Sequence, residues 1–392
     1  MRVLISGGGI AGPALAFWLH RAGADVTIVE RAPAPRPGGH AVDVRGVARG
    51  VVERMGLREA IRARQVDERG FALVDARGRK LATMPADLFG GEGIVAEIEI
   101  ARGDLAAILR EATARDVDWR FGDRITALTL DGDVTFASGG RERFDIVVGA
   151  DGVRSGTRKL AFGPHEEFVR PLGGWGSYFS VPDPGDLGGW FEMFNAPGGR
   201  VAGIRPERGG TAKASLSFRT DEAFVRMAKD DQMRVLEQRF AGVGWRVPGM
   251  LSGMSDADDF YFDEISQVHV EKWSRGRVVL LGDAGYCGSP LAGLGSSMSL
   301  VGAYVLAGEL AAASSPEDGF AAYQNEMAAY VADGTRLPPG GIGGFAPNGR
   351  LMIRMRATSM RMMGRWPMKG ILAKQFAKSD AITLKDYAFA AA

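Results

Sequence analysis

The stretch MRVLISGGGIAGPALAFWLHRAGADVTIVER, Met1 to Arg31, decides the fold. It begins with a short apolar segment, Val3 to Ser6, that predicts a buried strand, and a predicted helix follows from Ile10 to Arg21. A second apolar run then ends at the acidic residue Glu30. The glycines between strand and helix have the spacing Gly-x-Gly-x-x-Gly and are Gly7, Gly9 and Gly12. This order of elements is typical of a dinucleotide-binding βαβ unit.

Each residue of this pattern has a physical role in holding a dinucleotide. Gly7 permits the tight turn, Gly9 lets the backbone approach a pyrophosphate, and Gly12 lets helix and strand pack closely. The helix N-terminus supplies N–H donors and a favourable dipole. Glu30 is suited to accept hydrogen bonds from ribose hydroxyls, and Arg31 beside it is a further candidate for cofactor contact. The motif alone leaves FAD, NAD and a purely structural βαβ unit open.

The composition argues against several classes of protein. The chain has 392 residues and a formal net charge of +1, which gives no electrostatic reason to expect nucleic acid or an anionic membrane as a partner. No window approaches the roughly 18 uncharged apolar residues of a membrane span. The chain has a single cysteine, Cys287, which fits a reducing compartment, and no signal peptide is visible. We therefore expect a cytoplasmic protein, monomeric or homodimeric. The histidines are scattered without metal-ligand spacing, so we expect no metal site.

Two later stretches repeat the combination of a buried strand followed by glycine and aspartate. FDIVVGADGVRSGTRK carries Asp151 after the predicted strand Ile146 to Val148. RVVLLGDAGYCGSPLAGLGSSMSLVGAYVLAGEL carries Asp283 and then a long apolar helix predicted from about Ser297. The turn before that helix contains Pro290, Gly293, Gly295 and Ser296.

With these three motifs in order, residues 1–330 resemble the class A flavoprotein monooxygenases, the para-hydroxybenzoate hydroxylase family. The resemblance implies that all three turns bind FAD. The chain departs from the family pattern in the third motif, which usually reads Gly-Asp-Ala-Ala-His. Gly285 and Tyr286 occupy its last two places, Ser297 replaces an asparagine, and Gly302 replaces an aspartate.

The resemblance also suggests roles for single residues. Asp283 would accept hydrogen bonds from the ribityl chain; the alternative is a helix-capping acid. Arg102, at the start of a predicted helix, would contact the FAD phosphate or ribityl region; the alternative is a solvated arginine. Arg45 would lie beside the mobile isoalloxazine; the alternative is a salt-bridged loop arginine. Tyr286 would pack on the flavin edge. Arg45 and Tyr286 are the only candidates for a catalytic role.

The fold class we expect is α/β: a Rossmann-like FAD-binding domain with a mixed parallel sheet, interleaved with an antiparallel substrate domain, plus a C-terminal helix. The predicted FAD-binding domain comprises residues 1–71, 101–165 and 271–335, the substrate domain 72–100 and 166–270, and the C-terminal segment 336–392. In the substrate domain the apolar residues Trp190, Phe191, Met193 and Phe194 cannot all face one side of a strand. Some of them should line an aromatic pocket, although core packing is the alternative for each.

The C-terminal stretch RLMIRMRATSMRMMGRW predicts an amphipathic helix. Its arginine face is Arg350, Arg354, Arg361 and Arg365, and its methionine face is Met352, Met355, Met362 and Met363. We expect the methionine face to pack on the protein's own body and to bridge the two lobes. The alternative is a membrane surface. The tail is similar to the C-terminal helix of tetracycline-inactivating monooxygenases.

The resemblance implies a monooxygenase in which NADH or NADPH reduces the flavin and O₂ then forms a C4a-hydroperoxide that hydroxylates an electron-rich ring. We expect an aromatic, phenolic and polycyclic substrate. Three other functions stand beside this one. A flavin halogenase would need a Trp-x-Trp stretch, and no two tryptophans have that spacing. A flavin dehydrogenase or reductase, and a binder that sequesters an aromatic molecule, remain alternatives.

Overall fold

The opening stretch folds as the motif predicts in the computed structural model, which describes residues 1–35, 38–88, 98–224, 226–363 and 377–389. Strand β1 (Arg2–Ser6) leads into helix α1 (Ala11–Arg21), and β2 (Asp25–Glu30) pairs with β1 in parallel. The inner residues of all three elements are buried in one apolar core. The predicted βαβ unit is therefore confirmed.

The first lobe is built on a largely parallel sheet with the order β17-β18-β11-β1-β2-β7. Its other strands are β7 (Asp118–Phe121), β11 (Ile146–Gly149), β17 (Ser274–Arg275) and β18 (Val278–Leu280), of which β17 is antiparallel. The helices of this lobe are α2 (Val47–Arg54), α3 (Arg58–Ala63), α4 (Arg102–Glu111), α5 (Gly156–Ala161), α8 (Asp283–Tyr286), α9 (Gly295–Ala312) and α10 (Pro316–Gly334). A small antiparallel sheet contains β8 (Ile125–Leu128), β9 (Asp133–Phe136) and β10 (Arg141–Arg143).

In this arrangement β1, β11 and β18 are neighbours in register, with Ser6 opposite Gly149 and Gly149 opposite Leu280. The carboxyl ends of parallel strands meet at one edge of a sheet. The three motif turns therefore start side by side. Within the described residues, no helix has both the length and the apolar character needed to cross a membrane.

The second lobe is a mainly antiparallel sheet with the order β16-β12-β15-β14-β13-β4-β5. Its strands are β4 (Gly70–Val74), β5 (Lys80–Pro85), β12 (Val169–Pro182), β13 (Trp190–Ala196), β14 (Arg200–Pro206), β15 (Thr211–Arg219) and β16 (Tyr261–Val268). A 3₁₀ turn, His165–Glu167, precedes β12. Helices α6 (Lys229–Phe240) and α7 (Val247–Met254) pack their apolar residues on one face of this sheet. On the other face, Phe71 and Met193 pack with Ala357 and Met360 from the C-terminal part of the chain.

The end of the segment 72–100, which we assigned to the substrate domain, does not join the substrate sheet. Strand β6 (Glu99–Ala101) pairs instead with β3 (Ala41–Asp43) in a separate antiparallel ribbon. Residues 89–97 of that segment lie outside the described residues. The ribbon places Asp43 directly opposite Glu99.

The predicted C-terminal helix is present, but its methionine face does not pack as we expected. Helix α12 (Arg350–Met363) follows the short α11 (Gly341–Phe345). Met352, Met355 and Met362 are 50%, 62% and 50% exposed. The residues that pack on the substrate sheet are Ala357 and Met360. Arg365 and the side chain of Met363 lie outside the described residues.

The last described residues, 377–389, form a C-terminal tail that returns to the first lobe and begins with a 3₁₀ turn, Ala377–Asp380. The ring of Tyr387 lies where Gly308 has no side chain: a Cβ there would be 2.2 Å from the ring. Tyr387 Oη donates to Glu309 Oε1 at 2.7 Å, and Lys385 Nζ pairs with the same oxygen at 2.7 Å. Gly46, next to Arg45, closely approaches the carbonyl oxygen of Ser379. The tail therefore supports the loop that carries Arg45.

Candidate functional site

The first turn needs glycine for reasons that the structure makes explicit. Gly7 has a φ of +117°, and a Cβ on it would lie 2.4 Å from the carbonyl oxygen of Ala150. A Cβ on Gly12 would lie 2.0 Å from the carbonyl oxygen of Gly7. At Gly9 the nearest atom is Nη2 of Arg102, at 3.1 Å. Gly7 and Gly12 thus allow the backbone of the turn to pack closely. At Gly9 the space beside the backbone is open except for the guanidinium of Arg102.

Glu30 stabilises the first turn with both oxygens of its carboxylate. Its Oε2 accepts a hydrogen bond from the Gly8 N–H at 2.8 Å, and its Oε1 accepts from the Ala32 N–H at 2.8 Å. The indole of Trp119 also packs against Gly8. Sequence reasoning missed Trp119, because its place beside Gly8 depends on the pairing of β7 with β2. Arg31 is exposed next to Glu30.

Asp151 organises the second turn from within the protein. One of its oxygens accepts a hydrogen bond from the Ser155 hydroxyl. The other accepts from the Thr157 N–H and hydroxyl, both at 3.0 Å, and lies 3.4 Å from the Ser6 hydroxyl. Asp151 therefore joins the end of β1 to the start of α5. Its hydrogen bonds therefore fix the shape of the second turn.

Arg158 ties the second turn to the third, and sequence reasoning gave it no role. Its guanidinium is fully buried and donates to the carbonyl oxygens of Ala284, at 2.8 Å, and Val153, at 2.6 Å. Burial lowers the pKa of this guanidinium, and the charge of Asp151 partly offsets that effect. A stretch of sequence cannot reveal such a contact, because the two partners are 126 positions apart.

The third turn places Asp283 at the start of α8, after Gly282 with a φ of +63°. Burial raises the pKa of Asp283, while the thiol of Cys287 and the charge of Arg102 partly offset the rise. Oδ1 of Asp283 lies 3.6 Å from the Cβ position of Gly295, the first residue of α9. Asp283 thus faces the N-terminus of a long helix.

Helix α9 begins at Gly295, two residues earlier than expected. Pro290 is exposed in the turn before it, Gly293 has a φ of +72°, and Ser296 lies in the first helical turn. Among the described residues, no side chain caps this helix and no acid lies in its first turn. Its first N–H groups are consequently available to a ligand.

Arg45 lies directly against the start of α9. Its backbone N–H donates to Ser297 Oγ at 2.9 Å, and this hydroxyl donates to the carbonyl oxygen of Asp43 at 3.2 Å. The Arg45 guanidinium is buried and pairs with Asp43 Oδ2 at 2.7 Å. The salt bridge that we gave as the alternative for Arg45 is therefore present, at a position next to the α9 N-terminus.

Tyr286 differs from the expectation that it packs on a flavin edge. It is buried in the core of the first lobe, its ring centroid 4.7 Å from that of Trp273. Its hydroxyl forms a 2.8 Å hydrogen bond with the hydroxyl of Tyr323. A Cβ on Gly302 would lie 2.3 Å from the same hydroxyl. Tyr286 therefore fills the space that Gly302 leaves, and the geometry gives it a packing role.

Arg102 lies between the first turn and the substrate sheet: its Nη2 is 3.1 Å from the Cβ position of Gly9, and its charge acts on Tyr261 of β16. It begins α4 as predicted, its side chain is exposed, and among the described residues its guanidinium has no carboxylate partner. Its positive charge helps to lower the pKa of His40 and opposes the burial that raises the pKa of Asp283. An unpaired cation above Gly9, together with uncapped helix starts, fits the pyrophosphate of a dinucleotide.

The four predicted pocket residues divide between the two faces of β13. Phe194 is buried on the face covered by α6 and α7, with its ring 5.7 Å from that of Trp245, so it is a core residue. Met193 and the partly exposed Phe191 lie on the opposite face with Phe71. Trp190, at the start of the strand, lies under the ammonium of Lys80, 4.3 Å from its ring centroid.

Comparison with known proteins agrees with this geometry. The family model described as FAD binding domain matches residues 1–336. The chain is 38% identical over 336 residues to a flavin-dependent monooxygenase from an unknown prokaryotic organism, covering 84% of this chain and 86% of that one. It is 43% identical over 352 residues to the uncharacterized protein Rv1260 of Mycobacterium tuberculosis strain H37Rv, covering 88% and 94%.

Among solved structures, that of the tetracycline destructase Tet(51) superposes with a TM-score of 0.82 at 33% identity, covering 98% of this chain and 99% of that one. The residues matched by the family model include all three motif turns. The chain belongs to the FAD-binding family of class A flavin-dependent monooxygenases.

Proposed function

We propose that this protein hydroxylates an aromatic, phenolic and polycyclic substrate, using FAD, NADH or NADPH, and O₂. The observation that carries the proposal is that three glycine turns start side by side at the edge of the first sheet, with Arg102 next to the first turn and close enough to Tyr261 of the substrate sheet for its charge to act there. Bound FAD would accept reducing equivalents from the pyridine nucleotide and would activate O₂.

The chain's own residues would hold and orient the cofactor. Arg102 would pair with phosphate oxygens above Gly9, and Glu30 would accept from ribose hydroxyls while keeping its bonds to the turn. Asp283 would accept from the ribityl chain. The free N–H groups of α9 would face the flavin's pyrimidine end, where negative charge accumulates on reduction.

The face of the sheet that is turned from α6 and α7 supports an aromatic ligand. Phe191 packs edge-on against Phe71, with ring centroids 5.3 Å apart. The guanidinium of Arg205 lies 4.7 Å from the Phe191 ring centroid. A wall of aromatic rings suits a flat aromatic ligand. The likeness to a tetracycline destructase favours a polycyclic ligand over a small benzoate.

The test is to supply purified protein with FAD and to measure oxidation of NADH and NADPH across a panel of mono- and polycyclic phenols. We expect a yellow protein whose nucleotide oxidation is faster with a polycyclic phenol and whose product carries one atom from isotopically labelled O₂. Product without labelled oxygen would indicate a dehydrogenase or reductase. Tight binding of a phenol without faster nucleotide oxidation would indicate a binder. A protein that remains colourless would refute the proposal.

A further inference from the structure

A cluster of buried charges lies between the β3–β6 ribbon and the substrate sheet. Arg205 on β14 pairs with Glu68 through Nε–Oε1 at 2.7 Å and with Glu99 through Nη2–Oε2 at 2.6 Å. Arg45 pairs with Asp43 at 2.7 Å, and the ribbon register places Asp43 opposite Glu99. These residues connect the substrate sheet to the loop at the start of α9.

The cluster holds more acids than bases. The side chains of Asp43, Glu68 and Glu99 are only 14%, 1% and 4% exposed. Among the described residues of the cluster, Arg45 and Arg205 are the cations that pair with these three acids. Within the described residues, full ionisation would therefore set three negative charges against two positive ones, away from water and at a high cost in free energy.

The neighbouring ionisable groups do not remove this excess. Among the described residues, the groups that act on this cluster from adjoining elements are His40 before β3, Arg102 on α4, Lys213 on β15 and Tyr178 on β12. Burial raises the pKa of Tyr178, so its phenol is neutral. Burial and the charges of Arg102 and Arg205 lower the pKa of His40 to about 4, so it is neutral at pH 7. Lys213 already pairs with two carboxylates, those of Glu207 and Asp259. Arg102 is exposed to solvent, which screens its charge.

A bound proton removes the excess. The side chains of Asp43 and Glu99 are direct cross-strand neighbours in the β3–β6 ribbon, and two neighbouring carboxyls can bond to each other when one of them carries a proton. Burial raises the pKa of Asp43 to about 7, against the lowering effect of Arg45. Burial likewise raises the pKa of Glu99 to about 7, against the lowering effect of Arg205.

We propose that Asp43 and Glu99 share a single proton and that this pair positions Arg45 at the cofactor site. With the proton bound, the cluster is neutral. When the proton leaves to solvent, one negative charge remains beside Arg45 and the α9 N-terminus. That charge opposes the negative charge that a flavin gains on reduction, so reduction becomes harder as pH rises. This second part rests on the proposed function.

The first experiment reads the proton itself, with or without cofactor. Infrared difference spectra between about pH 5 and pH 9 should show the carbonyl stretch of a buried protonated carboxyl group that disappears near pH 7. Asp43→Asn and Glu99→Gln should each abolish that band, since either change leaves two acids of the cluster facing its two arginines. Glu207→Gln, which removes a buried carboxylate of the adjoining Lys213 cluster, should leave it unchanged. A band that survives in Asp43→Asn and Glu99→Gln, or that is absent from the wild type, would overturn the proposal.

The second experiment reads the effect on the cofactor. The midpoint potential of bound FAD should fall more steeply with pH above about 7 in the wild type and in Glu207→Gln than in Asp43→Asn or Glu99→Gln. The same pH dependence in all four proteins would overturn the positioning role. A protein that takes up no FAD would refute the proposed function instead, and the infrared band would still decide whether the proton is shared.

Discussion

Replacing Gly302 by alanine tests the packing behind the third turn. The new methyl group would lie 2.3 Å from Tyr286 Oη, 3.1 Å from Leu281 Cδ1 and 3.4 Å from Met327 Cε. Leucine and methionine ends can shift by a few tenths of an ångström, but the tyrosine hydroxyl must leave its place. Its 2.8 Å hydrogen bond to Tyr323 is then lost in a buried environment.

The magnitude follows from three terms. Alanine in place of glycine inside a helix stabilises by about 1 kcal/mol. Overpacking costs about 1–3 kcal/mol, and a buried hydroxyl without its partner costs about 1–3 kcal/mol more. We therefore expect Gly302→Ala to lower the free energy of unfolding by about 1–5 kcal/mol. Tyr286→Phe alone should cost about 1–2 kcal/mol, because it loses the hydrogen bond without a clash.

The double variant carries the argument. Tyr286→Phe removes the atom that the new methyl group meets, so adding Gly302→Ala to it should cost little or even stabilise. Unfolding in urea should therefore give a coupling energy of at least about 1 kcal/mol between the two changes. Gly249→Ala in α7 is the matched control. The new Cβ would meet nothing within 4 Å, so this helical glycine-to-alanine change should stabilise the protein. Effects that simply add, within about 0.5 kcal/mol, would refute this account of the pair.

Three further perturbations test other parts of the molecule. Gly308→Ala puts a methyl group 2.2 Å from the ring of Tyr387, so amide hydrogen exchange in the C-terminal tail should accelerate, and unchanged exchange would contradict the packing. Lys213→Met should lower the free energy of unfolding by about 3–5 kcal/mol. Burial raises the pKa of Asp259, but hydrogen bonds from Lys213 and Ser180 bring it below its usual value. The ionised Asp259 therefore stabilises the wild-type fold above about pH 4, and this stabilisation is lost as the pH falls further. The difference in the free energy of unfolding between wild type and variant should consequently shrink in more acidic urea titrations. Arg102→Ala should raise the Kd for FAD roughly 10- to 150-fold in a fluorescence titration, with Arg102→Lys intermediate; equal affinities would refute the phosphate contact.

The sequence was sufficient to predict the turns, because each rests on local chemistry. Glycines after a buried strand and an acid at the end of the next strand have few structural interpretations, and the first turn formed as expected. The start of α4 at Arg102 was likewise predictable from its flanking pattern. The face by which the C-terminal helix packs was harder to predict. Helical periodicity grouped Met352 with Met355 on one face, but the substrate sheet contacts Ala357 and Met360 on another. Periodicity defines faces and does not say which face finds a partner.

Long-range contacts were beyond the sequence for a different reason. Asp151 and Asp283 both follow a glycine at the end of a buried strand, but the structure uses them differently. An oxygen of Asp151 lies 3.4 Å from the hydroxyl of Ser6, 145 positions away, whereas Asp283 is buried beside the start of α9. Arg158 is one arginine among many until the fold brings Ala284 to it. Such roles depend on distances between segments that lie more than a hundred residues apart.

The departures from the family motif are best understood together. Tyr286 and Gly302 occupy the family's histidine and aspartate positions. On the core side of the third turn, the hydroxyl of Tyr286 fills the space that Gly302 leaves by having no side chain. Ser297, at the asparagine position, still joins the start of α9 to the loop of Arg45 through two hydrogen bonds. None of these changes alters the strand end that carries Asp283. The substitutions consequently preserve the shape of the cofactor side of the turn, and they weaken the case that an inert scaffold has replaced an enzyme.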